Sequence, residues 1–141
     1  MSNAIITIRN NDGNPVVMFR NIIYRPSSIV DRIDADVWLG QNGFEAQVSM
    51  DIERQDFEQF MSTLIQMLES NGRYAQLNPE GDRFRILFEL QSNGHVVVNA
   101  EMKDLMYMSS LKVKAISDQT LCAELAKELS DLLSEFPRTV H

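Results

Sequence analysis

The chain contains few of the residues that build common catalytic and metal centres. Its 141 residues include one cysteine and two histidines. A single cysteine excludes an internal disulfide and a multi-cysteine zinc site. His95 and His141 lie far apart, and neither belongs to a His-Glu-x-x-His spacing. We expect His95 to be an exposed residue at a strand start and His141 to be an unsuitable catalyst at a chain end.

Long apolar runs and an excess of positive charge are missing as well. No stretch of about 18 apolar residues occurs, so no membrane-spanning helix is expected. No basic segment leads into an apolar core at the N-terminus, so we expect no signal peptide and a cytoplasmic protein. Lys and Arg number 13 against 20 Asp and Glu, which gives a formal charge of −7. The phosphates of a nucleic acid or of an acidic membrane would repel such a chain, so neither is an expected partner.

Glycine and proline are scarce, and three of the glycines mark turns. The chain has six glycines and four prolines. Asp12-Gly13, Asn42-Gly43 and Asn93-Gly94 each separate two runs rich in β-branched or alternating residues. Asn-Gly and Asp-Gly tolerate the positive φ that tight hairpin turns require. The pattern predicts hairpins that join 4–10 to 15–24, 36–41 to 44–53, and 83–91 to 95–103.

The spacing of apolar residues separates strands from helices. Residues 44–53 alternate strictly between apolar and polar side chains, which predicts a strand with one buried face. Segments 54–71 and 118–136 instead repeat their apolar residues every three or four positions, which predicts two amphipathic helices. Gly72 is placed to end the first helix, and Ser117 or Asp118 to begin the second.

The predicted fold is α+β in two layers. We expect one curved antiparallel sheet of seven or eight strands, with both helices packed on its apolar face. Residues 1–141 form a single domain, in which 1–33 are an N-terminal hairpin and an irregular connection and 34–136 are the core. No internal repeat is visible in the sequence.

The candidate reactive groups have simpler structural explanations. Cys122 lies in the first turn of the last helix, where a thiol pKa can be lowered, but no base is nearby in sequence, so we expect a buried apolar residue. Asp34 and Asp36 resemble a short metal-binding pair, but polar residues that flank the start of a strand explain them better. Phosphate-binding loops and a nucleophile elbow are absent. We therefore predict no enzymatic activity, no metal and no cofactor.

The negative charge is concentrated in one part of the chain. Residues 34–71 carry eight acidic side chains and one basic side chain. The candidate protein-binding residues are the acids of the second hairpin together with the one tryptophan: Asp34, Asp36, Trp38, Glu45, Asp51 and Glu53. An acidic surface beside an aromatic side chain suits a basic protein that associates under electrostatic steering. An ordinary solvated face is the alternative.

The succession of these elements resembles the WapI-type immunity proteins of bacteria. The segments that carry the resemblance are the 36–53 hairpin, Asp56-Phe57-Glu58-Gln59-Phe60 opening a helix, Asn93-Gly94-His95-Val96 in a hairpin, and Ser117-Asp118-Gln119-Thr120-Leu121 opening the last helix. The resemblance spans residues 34–136. It implies that the protein binds and neutralises a toxin, and a basic toxin domain would match the acidic charge.

Two other functions fit the same sequence. Small acidic α+β proteins also act as secretion chaperones or adaptors for an effector protein, and these usually dimerise. A curved sheet closed by helices can also enclose a small molecule. The aromatic residues available to line such a pocket are Trp38, Phe44, Tyr74, Phe84 and Phe88. The chain is expected to be a monomer or a homodimer, and most of its eight methionines are expected in the core.

Overall fold

The chain runs twice through the same order of elements, four antiparallel strands followed by a helix. A computed structural model describes residues 3–79, 81–104 and 106–136. The first series is β1 (Ile6–Arg9), β2 (Pro15–Arg25), β3 (Arg32–Gln41), β4 (Phe44–Glu53) and α1 (Arg54–Leu68). The second series is β5 (Tyr74–Leu77), β6 (Phe84–Leu90), β7 (His95–Lys103), β8 (Ser110–Asp118) and α2 (Gln119–Glu135). The two halves therefore share a topology, although no repeat is visible in the sequence.

The strands form two separate sheets, each an antiparallel meander. The first sheet has the order β1-β2-β3-β4, and the second has the order β5-β6-β7-β8. The predicted α+β class is confirmed, and the number of strands agrees with the prediction. The single curved sheet that we expected is instead two four-stranded sheets, because α1 separates β4 from β5 and no ladder joins the two meanders within the described residues.

The core lies between the inner faces of the two sheets and the helices. Phe19 of β2 meets Phe57 of α1 edge to face at 5.5 Å and Phe84 of β6 at 5.9 Å, measured between ring centroids. Phe60 of α1 meets Phe88 of β6 in the same manner at 5.6 Å. One helix thus contacts the apolar side of both sheets, and the buried residues form one cluster. The outer faces of both sheets stay exposed, as a period of two with one polar face predicts.

The three predicted hairpins are present, but only one has a two-residue turn. Asn42 and Gly43 both have positive φ, 54° and 87°, as a primed turn requires. In the other two hairpins only the glycine, Gly13 or Gly94, takes a positive φ, and the loops are longer. β3 begins at Arg32, four residues before the predicted start, so the irregular connection is shorter than expected.

The helix ends follow from hydrogen bonds that the sequence only partly reveals. Asp118 caps α2 as predicted, because its side chain accepts a hydrogen bond from the Leu121 N–H at 2.8 Å. The prediction that Gly72 ends α1 is wrong. Ser70 has the left-handed φ of 64°, and the N–H of Asn71 donates to the Gln66 carbonyl at 2.9 Å, which completes a Schellman motif. Within the described residues no helix is long and apolar enough to cross a membrane.

Candidate functional site

The six predicted binding residues share the solvent-facing side of β3 and β4. The register between these strands is unbroken over ten residue pairs, so alternate residues stay on one face. Asp34 lies opposite Asp51, and Gly40 lies opposite Glu45. We call this surface, which β2, β3 and β4 form together, the acidic face. The structure therefore brings together residues that are up to 19 positions apart in sequence.

Three arginines of β2 and β3 lie among these carboxylates and reduce their charge. They are Arg20, Arg25 and Arg32. Arg25 forms an ion pair with Asp34. Arg32 lies 3.5 Å from the Asp51 carboxylate and 3.7 Å from that of Glu53. Five carboxylates and three guanidinium groups leave an excess of two negative charges, so the face is less acidic than the sequence of the second hairpin suggests.

A bulge in β2 orients the polar groups around Asp36. Asn21 has a φ of 53°, and the pairing between β2 and β3 skips from Arg20 to Ile23 at this point. The Asn21 amide donates to Asp36 at 2.8 Å, and the Ser49 hydroxyl donates to the other carboxylate oxygen at 2.6 Å. The hydrogen bond from Ser49, followed by that from Asn21, lowers the pKa of Asp36. This carboxylate is therefore held in place and charged.

Trp38 is fixed on the acidic face by Gly40 and Glu45. Its indole N–H donates to the Glu45 carboxylate at 3.3 Å. Its ring lies over Gly40, where an added Cβ would meet the ring atom Cζ2 at 2.6 Å and the Phe44 carbonyl oxygen at 2.9 Å. Only glycine therefore leaves room for the ring in this position. The result is a half-buried aromatic side chain with a set orientation beside a carboxylate.

Asp36 and Glu45 differ from the other acids of this face. Neither takes part in an ion pair within the described residues, whereas the carboxylates of Asp34, Asp51 and Glu53 each lie near an arginine. Both are held instead by neutral donors. Both charges are thus held in position without a direct ion pair, although Arg20 lies opposite Asp36 and partly balances its charge. Trp38 lies between the two acids along β3 and β4.

The candidate nucleophile and base do not form a reactive pair. Cys122 is 1% exposed, and burial, with a smaller contribution from Asp118, raises the pKa of its thiol to about 12. The thiolate needed for nucleophilic attack is therefore disfavoured. His95 is exposed at the start of β7, as expected, and its backbone N–H donates to the Asn93 side chain at 3.0 Å. His141 lies outside the described residues.

The Asp34 and Asp36 pair that resembles a metal site has another role, and so have the alternating polar residues Asn10, Asp12 and Asn14 of the first hairpin loop. Asp34 and Asp36 share a face, but each is held by a different partner from β2. The side chain of Asn10 accepts hydrogen bonds from the backbone N–H groups of Asp12 and Asn14, both at 3.0 Å, which shapes the first hairpin loop. No group of three or more His, Cys, Asp or Glu side chains suited to a metal ion occurs in the part of the chain that the structure describes.

The five aromatic residues proposed for a ligand pocket do not line one cavity. Phe84 and Phe88 are buried in the core, and Trp38 lies on the acidic face. Phe44 and Tyr74 are 74% and 55% exposed. The expectation that most methionines pack in the core holds for Met50, Met67 and Met102, which are buried, whereas Met106 and Met108 are exposed in the loop between β7 and β8. A loop of this kind gives no periodic signal from which exposure is predictable.

The outer face of the second sheet carries the opposite charge. Its side chains include four basic and two acidic groups: Arg85, Lys103, Lys112, Lys114, Glu89 and Glu101. A concavity of about 370 Å³ lies here between Leu87, Asn99 and the aliphatic parts of the basic side chains. This basic surface is not predictable from the sequence, because the basic residues that form it are spread over three strands and the chain as a whole is acidic.

Comparison with known proteins identifies the fold alone. No family model matches the chain, and no curated protein matches it. Among solved structures, the chain is similar to Trypanosoma MRP1/MRP2, with a TM-score of 0.51 and 9% sequence identity, over 94% of this chain and 83% of that one. At this level of identity the likeness concerns the path of the backbone. The resemblance to WapI-type immunity proteins stays a prediction.

Proposed function

We propose that the chain is a non-enzymatic protein-binding domain that neutralises a basic toxin in the cytoplasm, as the resemblance to WapI-type immunity proteins implies. The observation that carries this proposal is the arrangement of Asp36, Trp38 and Glu45 on the acidic face. A tryptophan beside fixed carboxylates is the type of group that dominates binding energy in protein interfaces. Because the side chains are already held in place, little conformational entropy is lost on binding.

The partner suggested by this surface is a protein with a basic patch. Asp36 and Glu45 have no ion pair within the described residues, and only Asp36 has an arginine, Arg20, opposite it, so a lysine or arginine of the partner can pair directly with either carboxylate. The paired arginines at the other end of the face also limit non-specific attraction, because they cancel much of the charge there. Electrostatic complementarity of this kind chiefly sets association rate and specificity.

Co-expression tests the proposal. The partner to use is the C-terminal domain of a large secreted protein encoded next to this reading frame. The chain should restore growth of cells that express that domain, whereas Trp38→Ala and Glu45→Lys should restore it poorly. Glu124→Lys, on the exposed side of α2, makes the same change of charge away from the acidic face and serves as the matched control. Equal protection by all the variants would count against the acidic face as the binding site.

A small-molecule function has one observation in its favour, the concavity on the outer face of the second sheet. Its lining combines Leu87 with three basic side chains, Arg85, Lys112 and Lys114, and it includes Glu101, which lies 3.5 Å from the Lys112 ammonium group. Such a lining suits an anionic ligand with an apolar part. Calorimetric titration with fatty acids of increasing length checks this alternative, with Lys112→Glu as the variant expected to lose binding.

A further inference from the structure

Of the four sheet edges, β4 differs from the other three within the described residues: its first half lies beside an open groove, and only Met50 and Asp51 lie close to another segment, around Pro79, Arg83 and Phe84. β1 has only four residues, and its Thr7 N–H donates to the Glu128 carboxylate of α2 at 3.3 Å. β5 also has four residues and lies against α1. β8 is long, but its Lys114 and Ile116 carbonyls accept hydrogen bonds from the first sheet. Proteins commonly shorten or cover sheet edges in this manner, because free edges attract other strands.

The outer edge of β4 is long and regular. All ten residues from Phe44 to Glu53 pair with β3 without a bulge. In an antiparallel pair, alternate residues direct their N–H and C=O groups away from the partner strand. Within the described residues, no hydrogen bond joins the backbone of β4 to any element other than β3. The strand therefore presents a row of unpaired backbone groups to an incoming strand.

A groove runs beside the first half of this edge. It has a volume of about 310 Å³, with residues 44–48 of β4 on one side and residues 102–104 and 109–111 of the second sheet on the other. Phe44 is 74% exposed at its mouth. Met106 and Met108 are 74% and 84% exposed in the β7–β8 loop, whose flanking residues line the groove. Flexible methionines beside an exposed ring provide an adaptable apolar contact for a partner.

The side chains of β4 define the chemistry of the strand that fits. The solvent-facing residues are Glu45, Gln47, Ser49, Asp51 and Glu53. Side chains directly opposite one another on neighbouring strands interact, and opposite charges stabilise the pairing. A strand that adds to β4 therefore matches best when its solvent-facing residues are lysine or arginine and its alternate residues, which face Ala46 and Val48, are apolar.

A second copy of the chain is a poor occupant of this edge. If two β4 strands paired antiparallel about Ser49, Glu45 of each copy would face Glu53 of the other, and Gln47 would face Asp51. Like charges directly opposite one another destabilise a sheet. The same row of acids that attracts a basic strand thus disfavours self-association through β4.

We propose that β4 is the docking edge for the protein partner, which adds to the first sheet an antiparallel strand of alternating basic and apolar residues. This inference rests on the proposed function, because it assigns a binding mode to the same partner. In this mode main-chain hydrogen bonds to β4 give affinity, and the alternating side chains give specificity. The added strand extends the acidic face, so its basic side chains lie beside those of Glu45 and Asp51.

The test uses a capped nine-residue peptide of alternating lysine and valine. Binding is measured by fluorescence anisotropy, and amide hydrogen exchange of the protein is followed by NMR with and without the peptide. We expect slower exchange at every second residue of β4, and at least a tenfold loss of affinity when alternate peptide nitrogens are methylated. The methylated peptide keeps its charge, so it separates strand pairing from electrostatic attraction.

Three results overturn this inference: no binding, equal binding of the methylated peptide, or protection on the second sheet instead of on β4. The outcome is distinguishable from that of the proposed function. If Glu45→Lys abolishes toxin neutralisation while β4 amides gain no protection, the acidic face binds the partner through side chains alone. If β4 is protected but neutralisation is insensitive to Glu45, the edge takes strands and the toxin proposal fails.

Discussion

Removal of the Arg54 side chain should destabilise the protein more than removal of any exposed arginine. Arg54 opens α1 and is only 8% exposed. Its guanidinium donates to the Leu133 carbonyl at 3.1 Å and to that of Phe136, so it satisfies carbonyl groups at the end of α2. It also lies 3.4 Å from the Glu58 carboxylate and 5.7 Å from the centre of the Tyr24 ring. One side chain thus joins the start of one helix to the end of the other.

The magnitude follows from these contacts. A hydrogen bond from a charged donor contributes about 1.5–3 kcal/mol net, and Arg54→Ala removes two of them. The Leu133 carbonyl keeps a hydrogen bond from the Phe136 N–H at 3.3 Å, so it is not left without a donor. The partly exposed ion pair with Glu58 adds less than about 1 kcal/mol. The desolvation cost of a buried charge disappears in the variant and offsets part of this loss. We therefore expect unfolding free energy to fall by about 3–4 kcal/mol, or the Tm by about 7–14 °C.

Urea unfolding followed by far-UV circular dichroism measures this loss. Arg54→Lys keeps the charge but has no planar fork to reach both carbonyls, so it should lose roughly half as much. Arg85→Ala, on the exposed outer face of the second sheet, should stay within about 0.5 kcal/mol of the parent. A loss below about 1 kcal/mol for Arg54→Ala would refute the reasoning that the guanidinium holds the end of α2.

Three further predictions concern buried or crowded groups. The Cys122 thiol, with its pKa raised to about 12 by burial, should react with a disulfide reagent at pH 8 at least about a thousandfold more slowly in the folded protein than in concentrated urea; comparable rates would contradict the burial. Burial raises the pKa of Glu128 above its ordinary 4.5, so its contribution to stability is present below that pH and is lost as pH rises through the folded-state pKa. Glu128→Gln should therefore gain stability relative to the parent between pH 4 and pH 7 in urea titrations, whereas Asp12→Asn, in the exposed loop between β1 and β2, should not. Gly40→Ala should displace the Trp38 ring, shift its fluorescence to longer wavelength and cost about 1–3 kcal/mol; an unchanged emission spectrum would contradict the close contact.

The sequence predicts the local structure well because each signal comes from neighbouring residues. Asn42-Gly43 carries its own backbone preference, and Asp118 caps a helix within three residues of itself. The strict alternation of 44–53 correctly separates the two faces of β4. Gly72 fails as a helix end because backbone hydrogen bonds from Ser70 and Asn71 close α1 earlier, and residue preference alone does not report those bonds.

The arrangement of the two sheets depends on contacts between distant segments. The alternation of apolar and polar residues in β4 and β5 does not show that α1 separates two meanders. One curved sheet and two separate sheets would bury the same apolar residues. Phe19 illustrates this point, since it contacts α1 and the second sheet at once. Its position in a single curved sheet would look the same in the sequence.

The sequence predicts which residues share the acidic face, but it does not predict the net charge of that face. All six predicted residues lie on one face because the hairpin turn fixes their register. Arg20 precedes Asp36 by 16 positions and Arg25 precedes Asp34 by 9, and the bulge at Asn21 decides which carboxylates they meet. Likewise, the sequence does not show that β4 has an accessible edge. This becomes clear only from the contacts that cover the edges of the other sheet-end strands.

The central claim is that the acidic face captures a basic protein by electrostatic steering. The most direct measurement is the association rate constant with the candidate partner domain of the co-expression test, at low and at high salt. Glu45→Lys combined with Asp51→Lys should slow association at least tenfold at low salt, and the difference should shrink as salt rises. The control is Glu124→Lys combined with Asp131→Lys on the exposed side of α2, which makes the same change in net charge. If both double variants associate equally fast at low salt, the acidic face is not the surface that meets the partner.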